Sequence, residues 1–139
     1  MFEQRLLVVE DDKNIASLIC DIATEAGFRA RVACNYKDII QTYKDFLPDV
    51  IVLDIFMPDM DGFEVLNFLK QHSSHASIVI LSGDGSYRLM AEKMANGLGL
   101  TIAANLSKPF RAMALRLALE EIKFSLEVLA SKIPAESVA

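Results

Sequence analysis

Cysteine is scarce in this chain, with only Cys20 and Cys34 among 139 residues. Two thiols in apolar or helical contexts cannot frame a disulfide-stapled secreted fold, and reduced structural thiols in a cytoplasmic protein are expected. An excess of basic charge is also lacking. The formal net charge is −5, which disfavours direct binding of nucleic acid. No apolar run reaches the roughly eighteen residues that a membrane helix needs, so no membrane association is expected. The opening segment MFEQRLLVVEDD has no long apolar region before a small-residue cleavage site, so a signal peptide is not expected either. No linker, low-complexity tract or block of like charge interrupts the chain.

Hydrophobic residues make up 53% of the sequence, enough for one compact domain with a genuine core. They are arranged as five repeats of a short strand and a helix. RLLVVE reads as a buried strand, and the amphipathic helix after it is stopped by Gly27. FRARVAC alternates as a half-buried strand, and Asn35 then caps YKDIIQTYKDF. DVIVLD, SIVILS and LTIAANLS are the third, fourth and fifth strands, each with a helical segment behind it. Pro109 is expected to open the last helix, at a position where proline fits well. Such alternation implies an α/β fold, a doubly wound parallel sheet with helices on both faces.

In sheets of this kind the functional site lies beyond the carboxyl ends of the strands. The residues there are Glu10, Asp11, Asp54, Ser82 and, just past the fifth strand, Lys108. Asp54 poses the sharpest question. It closes the apolar run VIVLD, and a buried carboxylate needs a partner, a metal or a task. Three crowded carboxylates repel unless a cation sits among them, and few protein ligands plus water suit Mg²⁺ better than Ca²⁺. A carboxylate is also a nucleophile toward phosphorus, giving an acyl phosphate. Mg²⁺ and Lys108 would neutralise the phosphoryl oxygens, and Ser82 with Gly83 offers a hydroxyl and room. Asp54 is thus the candidate phosphoacceptor.

Four separated strings, LLVVEDD, VLDIFMPDMDG, VILSG and LSKPF, stand in the order in which they occur in the response-regulator receiver domains of bacterial two-component systems. From about Leu6 to Leu126 the chain resembles that family. The resemblance implies a flavodoxin-like (βα)5 sheet of order 2-1-3-4-5. It also implies phosphorylation of Asp54 by a sensor histidine kinase or phosphotransfer protein, a cis Lys108–Pro109 bond, and a signalling switch rather than a turnover enzyme. By the same likeness Asp11, Asp54 and the backbone carbonyl of Phe56 hold Mg²⁺, with Glu10 acting mainly through water. The family usually has Tyr or Phe where this chain has Asn105, so the coupling to the output surface has to run differently. The segment before the fifth strand also looks longer than the family's usual version.

Blander readings are set beside these. Asp12 is expected to cap the first helix, and Asp59 and Asp61 to be solvated turn residues. Ser82 could be a strand-end hydroxyl bonded to its own backbone, and Lys108 an ordinary surface lysine. His72 and His75 read as exposed and uncoordinated, Met90 and Met94 as packing residues. A competing function is a Mg²⁺-dependent phosphohydrolase with an aspartyl-phosphate intermediate. Against it, Phe56 occupies the place two residues past Asp54 where a general acid would stand. A receiver-like module that no longer takes phosphate is countered by the intact set of polar residues.

The receiver domain is expected over residues 1–126, with a helix extension and tail over 127–139. Leu115, Leu119, Ile122, Leu126, Leu129 and Ile133 recur in steps of four and three, a heptad seam. The last helix is therefore expected to run to about Ser131. Its seam would be exposed and would meet a partner copy or lead into a fused output domain.

Overall fold

The computed structural model describes residues 3–57, 60–72 and 74–131. The chain runs β1 (Arg5–Val9), α1 (Lys13–Glu25), β2 (Arg29–Ala33), α2 (Tyr36–Phe46), β3 (Val50–Asp54), β4 (Phe56–Met57) and β5 (Met60–Asp61). It continues as α3 (Gly62–Gln71), β6 (Ser77–Ser82), α4 (Gly85–Gly97), β7 (Thr101–Ser107) and α5 (Ala112–Ser131). The main sheet has the order β2-β1-β3-β6-β7 with every pairing parallel. Leaving aside the small β4–β5 hairpin, its strands run 2-1-3-4-5 in chain order, as the resemblance implies, and all are parallel, as the alternation implies.

Period-two alternation along the strands separates two cores. Leu7, Val9, Ile51, Leu53, Ile78 and Ile80 face α2, α3 and α4, where Ile39, Leu66, Leu69 and Ala91 meet them. Leu6, Val8, Val50, Val52, Val79 and Leu81 face α1 and α5 through Ile19, Ala23, Leu115 and Leu119. Both faces of β3 are covered, so all five of its residues are buried, Asp54 included.

The helices start where side chains satisfy the free amides of the first turn. Asp12 accepts from the amides of Asn14 and Ile15, and Asn35 from that of Asp38. Asp61, read as a solvated turn residue, in fact caps α3 through the Phe63 amide.

Three expectations need correction. Pro109 does not open α5, which begins three residues later at Ala112; the Lys108–Pro109 bond is cis, as the resemblance implies. The heptad seam is not exposed along its length: Leu115, Leu119 and Ile122 pack against the sheet, while α5 does reach Ser131. Ile133, the last member of that seam, lies outside the described residues. Met90 is exposed, whereas Met94 packs against the α2–α4 core. In addition, the β6–β7 register passes from Ile102 to Ala104, so Ala103 is taken up as a bulge.

Candidate functional site

Parallel strands deliver the polar residues to one edge. Glu10 follows β1, its amide bonded to the Ala33 carbonyl at 3.3 Å. Asp54 ends β3 opposite Leu81, and Ser82 ends β6. Lys108 follows β7 and is pinned there by its amide, which donates to the Ser82 carbonyl at 2.9 Å. After Asp54 the chain turns back sharply. The Gly62 amide donates to Ile55 O at 3.2 Å, and a Cβ on Gly62 would lie 2.6 Å from Ile55 Cα. No side chain fits there, so glycine is required by close approach. The β4–β5 hairpin between them carries Phe56; Pro58 and Asp59 lie outside the described residues.

Glu10 and Asp54 are 1% and 3% exposed, yet both are carboxylic acids. Lys108 supplies their common partner. Its Nζ lies 2.6 Å from Glu10 Oε1 and 2.9 Å from Asp54 Oδ2. The remaining oxygens also have donors: Asp54 Oδ1 accepts the Phe56 amide at 3.2 Å and Glu10 Oε2 the Asp12 amide at 3.3 Å. Burial pushes the Glu10 carboxyl up to about 7, with the Asp54 charge adding to it and the Lys108 bond working against it. Burial would lower Lys108, but its bonds to Glu10 and Asp54 win and hold its ammonium above the ordinary value.

Asp11 is exposed beside this cluster, and one carboxylate oxygen from each of Glu10, Asp11 and Asp54 lies within 4.8 Å of the others. An octahedral ion with ligands at about 2.1 Å places opposite ligands about 4.2 Å apart. Hard oxygen donors at this spacing fit a small divalent cation after modest side-chain adjustment.

Ser82 shares a cavity of about 320 Å³ with Asp54, Phe56, Gly83, Tyr87 and Lys108. Its hydroxyl is spent elsewhere, donating to Asp84 O at 3.3 Å and accepting from Asp84 N at 3.1 Å. The bland reading of Ser82 therefore describes this state of the molecule. Phe56 is 62% exposed, with its ring 5.4 Å from that of Tyr87, which in turn lies 6.4 Å from Phe63. The sequence reading missed Tyr87 and Asp84. Asp84 carries a legible helix-start signal, since its side chain caps α4 at Ser86 and Tyr87. His72 stacks on Phe68 at 4.1 Å and joins no metal-holding cluster among the described residues, and the two cysteines are free.

A buried aspartate at a strand end, tied to a lysine and flanked by two further acids and a strand-end hydroxyl, makes a polar site at the carboxyl edge of a parallel α/β sheet. Comparison with known proteins agrees. Residues 6–120 match the response regulator receiver domain family, and the chain belongs to it. It is a signalling domain of two-component systems. The chain is 32% identical over 109 residues to the chemotaxis protein CheY of Bacillus subtilis, covering 78% of this chain and 88% of that protein. It is 26% identical over 93 residues to the regulatory protein AtoC of Escherichia coli, where it spans only 20% of the longer relative. A response regulator from Colwellia psychrerythraea superposes with a TM-score of 0.73 at 29% identity, over 89% of this chain and 99% of that one. Among the described residues no helix is long and apolar enough to cross a membrane.

Proposed function

We propose that Asp54 accepts a phosphoryl group from the phosphohistidine of a sensor kinase or phosphotransfer protein, and that the modified domain switches an output surface. The observation that carries this is the 2.9 Å bond between Lys108 and a 3%-exposed Asp54 that lines an open cavity. One Asp54 oxygen would form the new O–P bond as the P–N bond breaks and the electron pair leaves with the imidazole. Lys108 sets a positive charge 2.9 Å from the acceptor in a buried setting and is placed to follow the negative charge onto the phosphoryl oxygens. Ser82 and the Gly83 backbone line the space where that group would stand.

Glu10, Asp11, Asp54 and the Phe56 carbonyl are the groups that would hold Mg²⁺. When bound, the ion supplies the positive charge that phosphoryl transfer needs. Turnover of phosphate esters does not fit this reading, because the general-acid position two residues beyond Asp54 is Phe56. Leu117 and Phe124 on the outer side of α5, and Leu129 at the far end of its inner stripe, are all more than half exposed, and this last helix is where a partner copy or a fused output domain would engage. Work would be cytoplasmic, with kinase and regulator in one compartment.

The test is direct. Incubation with Mg²⁺ and acetyl phosphate should add the mass of one phosphoryl group, labile to acid. If Asp54→Asn takes the same label, the acceptor is another residue.

A further inference from the structure

The position where an aromatic was expected does something else. Asn105, on β7, is tied to α4 by three hydrogen bonds. Its Nδ2 donates to Arg88 O at 3.3 Å and to Glu92 Oε2 at 3.1 Å, and its Oδ1 accepts from Arg88 Nη1 at 3.4 Å. Arg88 and Glu92 are one helical turn apart, so a single strand residue grips one face of the helix. Apolar packing holds α4 only lightly. Its buried residues are Ala91 and Ala95, with Met94 and Leu98 partly buried beside them. The grip is also imperfect, since Arg88 Nε is buried with no hydrogen-bond partner among the described residues and the Arg88–Asn105 bond is long.

The first turn of the same helix is joined to the site. Asp84 caps α4 with its carboxylate, while its backbone amide and carbonyl are both bonded to the Ser82 hydroxyl. A hydroxyl has one proton. If Ser82 donates to a phosphoryl oxygen on Asp54, it can no longer donate to Asp84 O. The loop beneath α4 then loses an anchor, and the imperfect grip of Asn105 on Arg88 and Glu92, left to hold the helix alone, gives way.

On the reading that Asp54 is the acceptor, we propose that Asn105, Arg88 and Glu92 form a polar clamp that holds α4 in its unphosphorylated position. The clamp opens when Ser82 turns toward the phosphoryl group. Asn105 is thus a positioning residue, acting on the site through α4 rather than by touching the phosphoryl group. If phosphorylation proceeds from the open arrangement, its rate scales with the fraction of molecules already open. Weakening the clamp should therefore make Asp54 easier to phosphorylate, an effect that loss of stability alone would not produce.

The experiment compares the full chain, Asn105→Ala and Asp54→Asn with acetyl phosphate and Mg²⁺, following phosphoryl gain by mass and backbone hydrogen exchange along α4. Asn105→Ala should gain the group about fivefold faster or more, the lower end of ordinary coupling factors. Amides from Leu89 to Met94 should exchange faster on phosphorylation of the parent chain, and should already be fast in unmodified Asn105→Ala, while those of β3 stay protected in both. A parent-like phosphorylation rate, or faster exchange spread equally over β3 and α4, would overturn the proposal. If Asn105→Ala fails to fold, Glu92→Ala removes one bond of the clamp from the helix side and should show the same two changes in smaller size; neither change would again overturn it. Asp54→Asn keeps the two questions apart. A label on that variant refutes the acceptor assignment, whereas an unlabelled Asp54→Asn with an unchanged Asn105→Ala refutes the clamp alone.

Discussion

Lys108 lies closer to Glu10, at 2.6 Å, than to Asp54, at 2.9 Å, so the lysine bonded to Asp54 divides its charge with a second acid. The three groups carry a net charge of −1 when both acids are ionised, in a site that excludes most solvent. Glu10 answers by keeping its proton to about pH 7. Two measurable consequences arise from that proton.

Stability should fall as pH rises through the Glu10 titration. The ordinary value is 4.5 and the folded value about 7, so between those limits the folded chain holds a proton that the unfolded chain has released. Unfolding free energy then declines with rising pH, with this contribution fully present below 4.5 and lost above 7. Solvent reaching the open side of the site tempers the effect, to on the order of 2 kcal/mol. Glu10→Gln should remove this part of the slope. Urea titrations of both chains at pH 5 and pH 8 check it, and parallel losses in the two would contradict the assignment.

Mg²⁺ binding should show the opposite trend, weakening as pH falls below 7 because protons compete for Glu10. Titration at pH 7.5 should move the backbone NMR signals of Asp11, Asp54 and Phe56 at millimolar metal. Asp11→Asn and Asp54→Asn should each weaken binding about tenfold or more, on the scale of losses seen when groups around metal sites are removed. Shifts confined to other parts of the chain would place the ion elsewhere.

The parallel sheet and the converging polar residues were legible because buried parallel strands and helix caps leave strong local signals, while the strand order came from the family resemblance. β3 is apolar through Leu53, and Asn35 and Asp12 stand where caps belong. The β4–β5 pair was not legible, since two-residue strands have no periodicity to detect. Pro109 suited a first helical turn on composition, but α5 starts only at Ala112, a difference of three residues that proline preference alone does not resolve. The bond between Lys108 and Glu10 joins residues 98 apart, and the grip of Asn105 on Arg88 and Glu92 depends on a register that the sequence does not display.

The aromatic pair at the mouth of the site should lengthen the life of the phosphorylated form. Phe56 stands over the cavity that holds Asp54, and Tyr87 supports its ring at 5.4 Å. Both rings line the cavity through which water would reach an acyl phosphate on Asp54. Phe56→Asn should speed loss of the phosphoryl group about fivefold, equivalent to about 1 kcal/mol of barrier, and Tyr87→Ala should do so less strongly. Decay of the mass-labelled form after removal of acetyl phosphate measures this. An unchanged or slower decay in Phe56→Asn would mean that water enters by another route.

The last helix combines two jobs that one heptad pattern cannot tell apart. Steps of four and three mark an apolar stripe whether it faces another helix or a sheet. Here the stripe from Leu115 to Ile122 is core, with Leu119 fully buried, while Leu129 at the far end is 62% exposed. Leu119→Ala should therefore cost about 2–5 kcal/mol of stability, as truncations in close-packed interiors do. The double variant Phe124→Ser, Leu129→Ser should cost little stability, within about 0.5 kcal/mol per site, because both side chains are more than half exposed. Apolar side chains left exposed together on one helix favour association. The double variant should accordingly lower the mass measured by light scattering for the concentrated full chain. Equal masses for the parent and the variant would show that the outer end of α5 does not bring copies together.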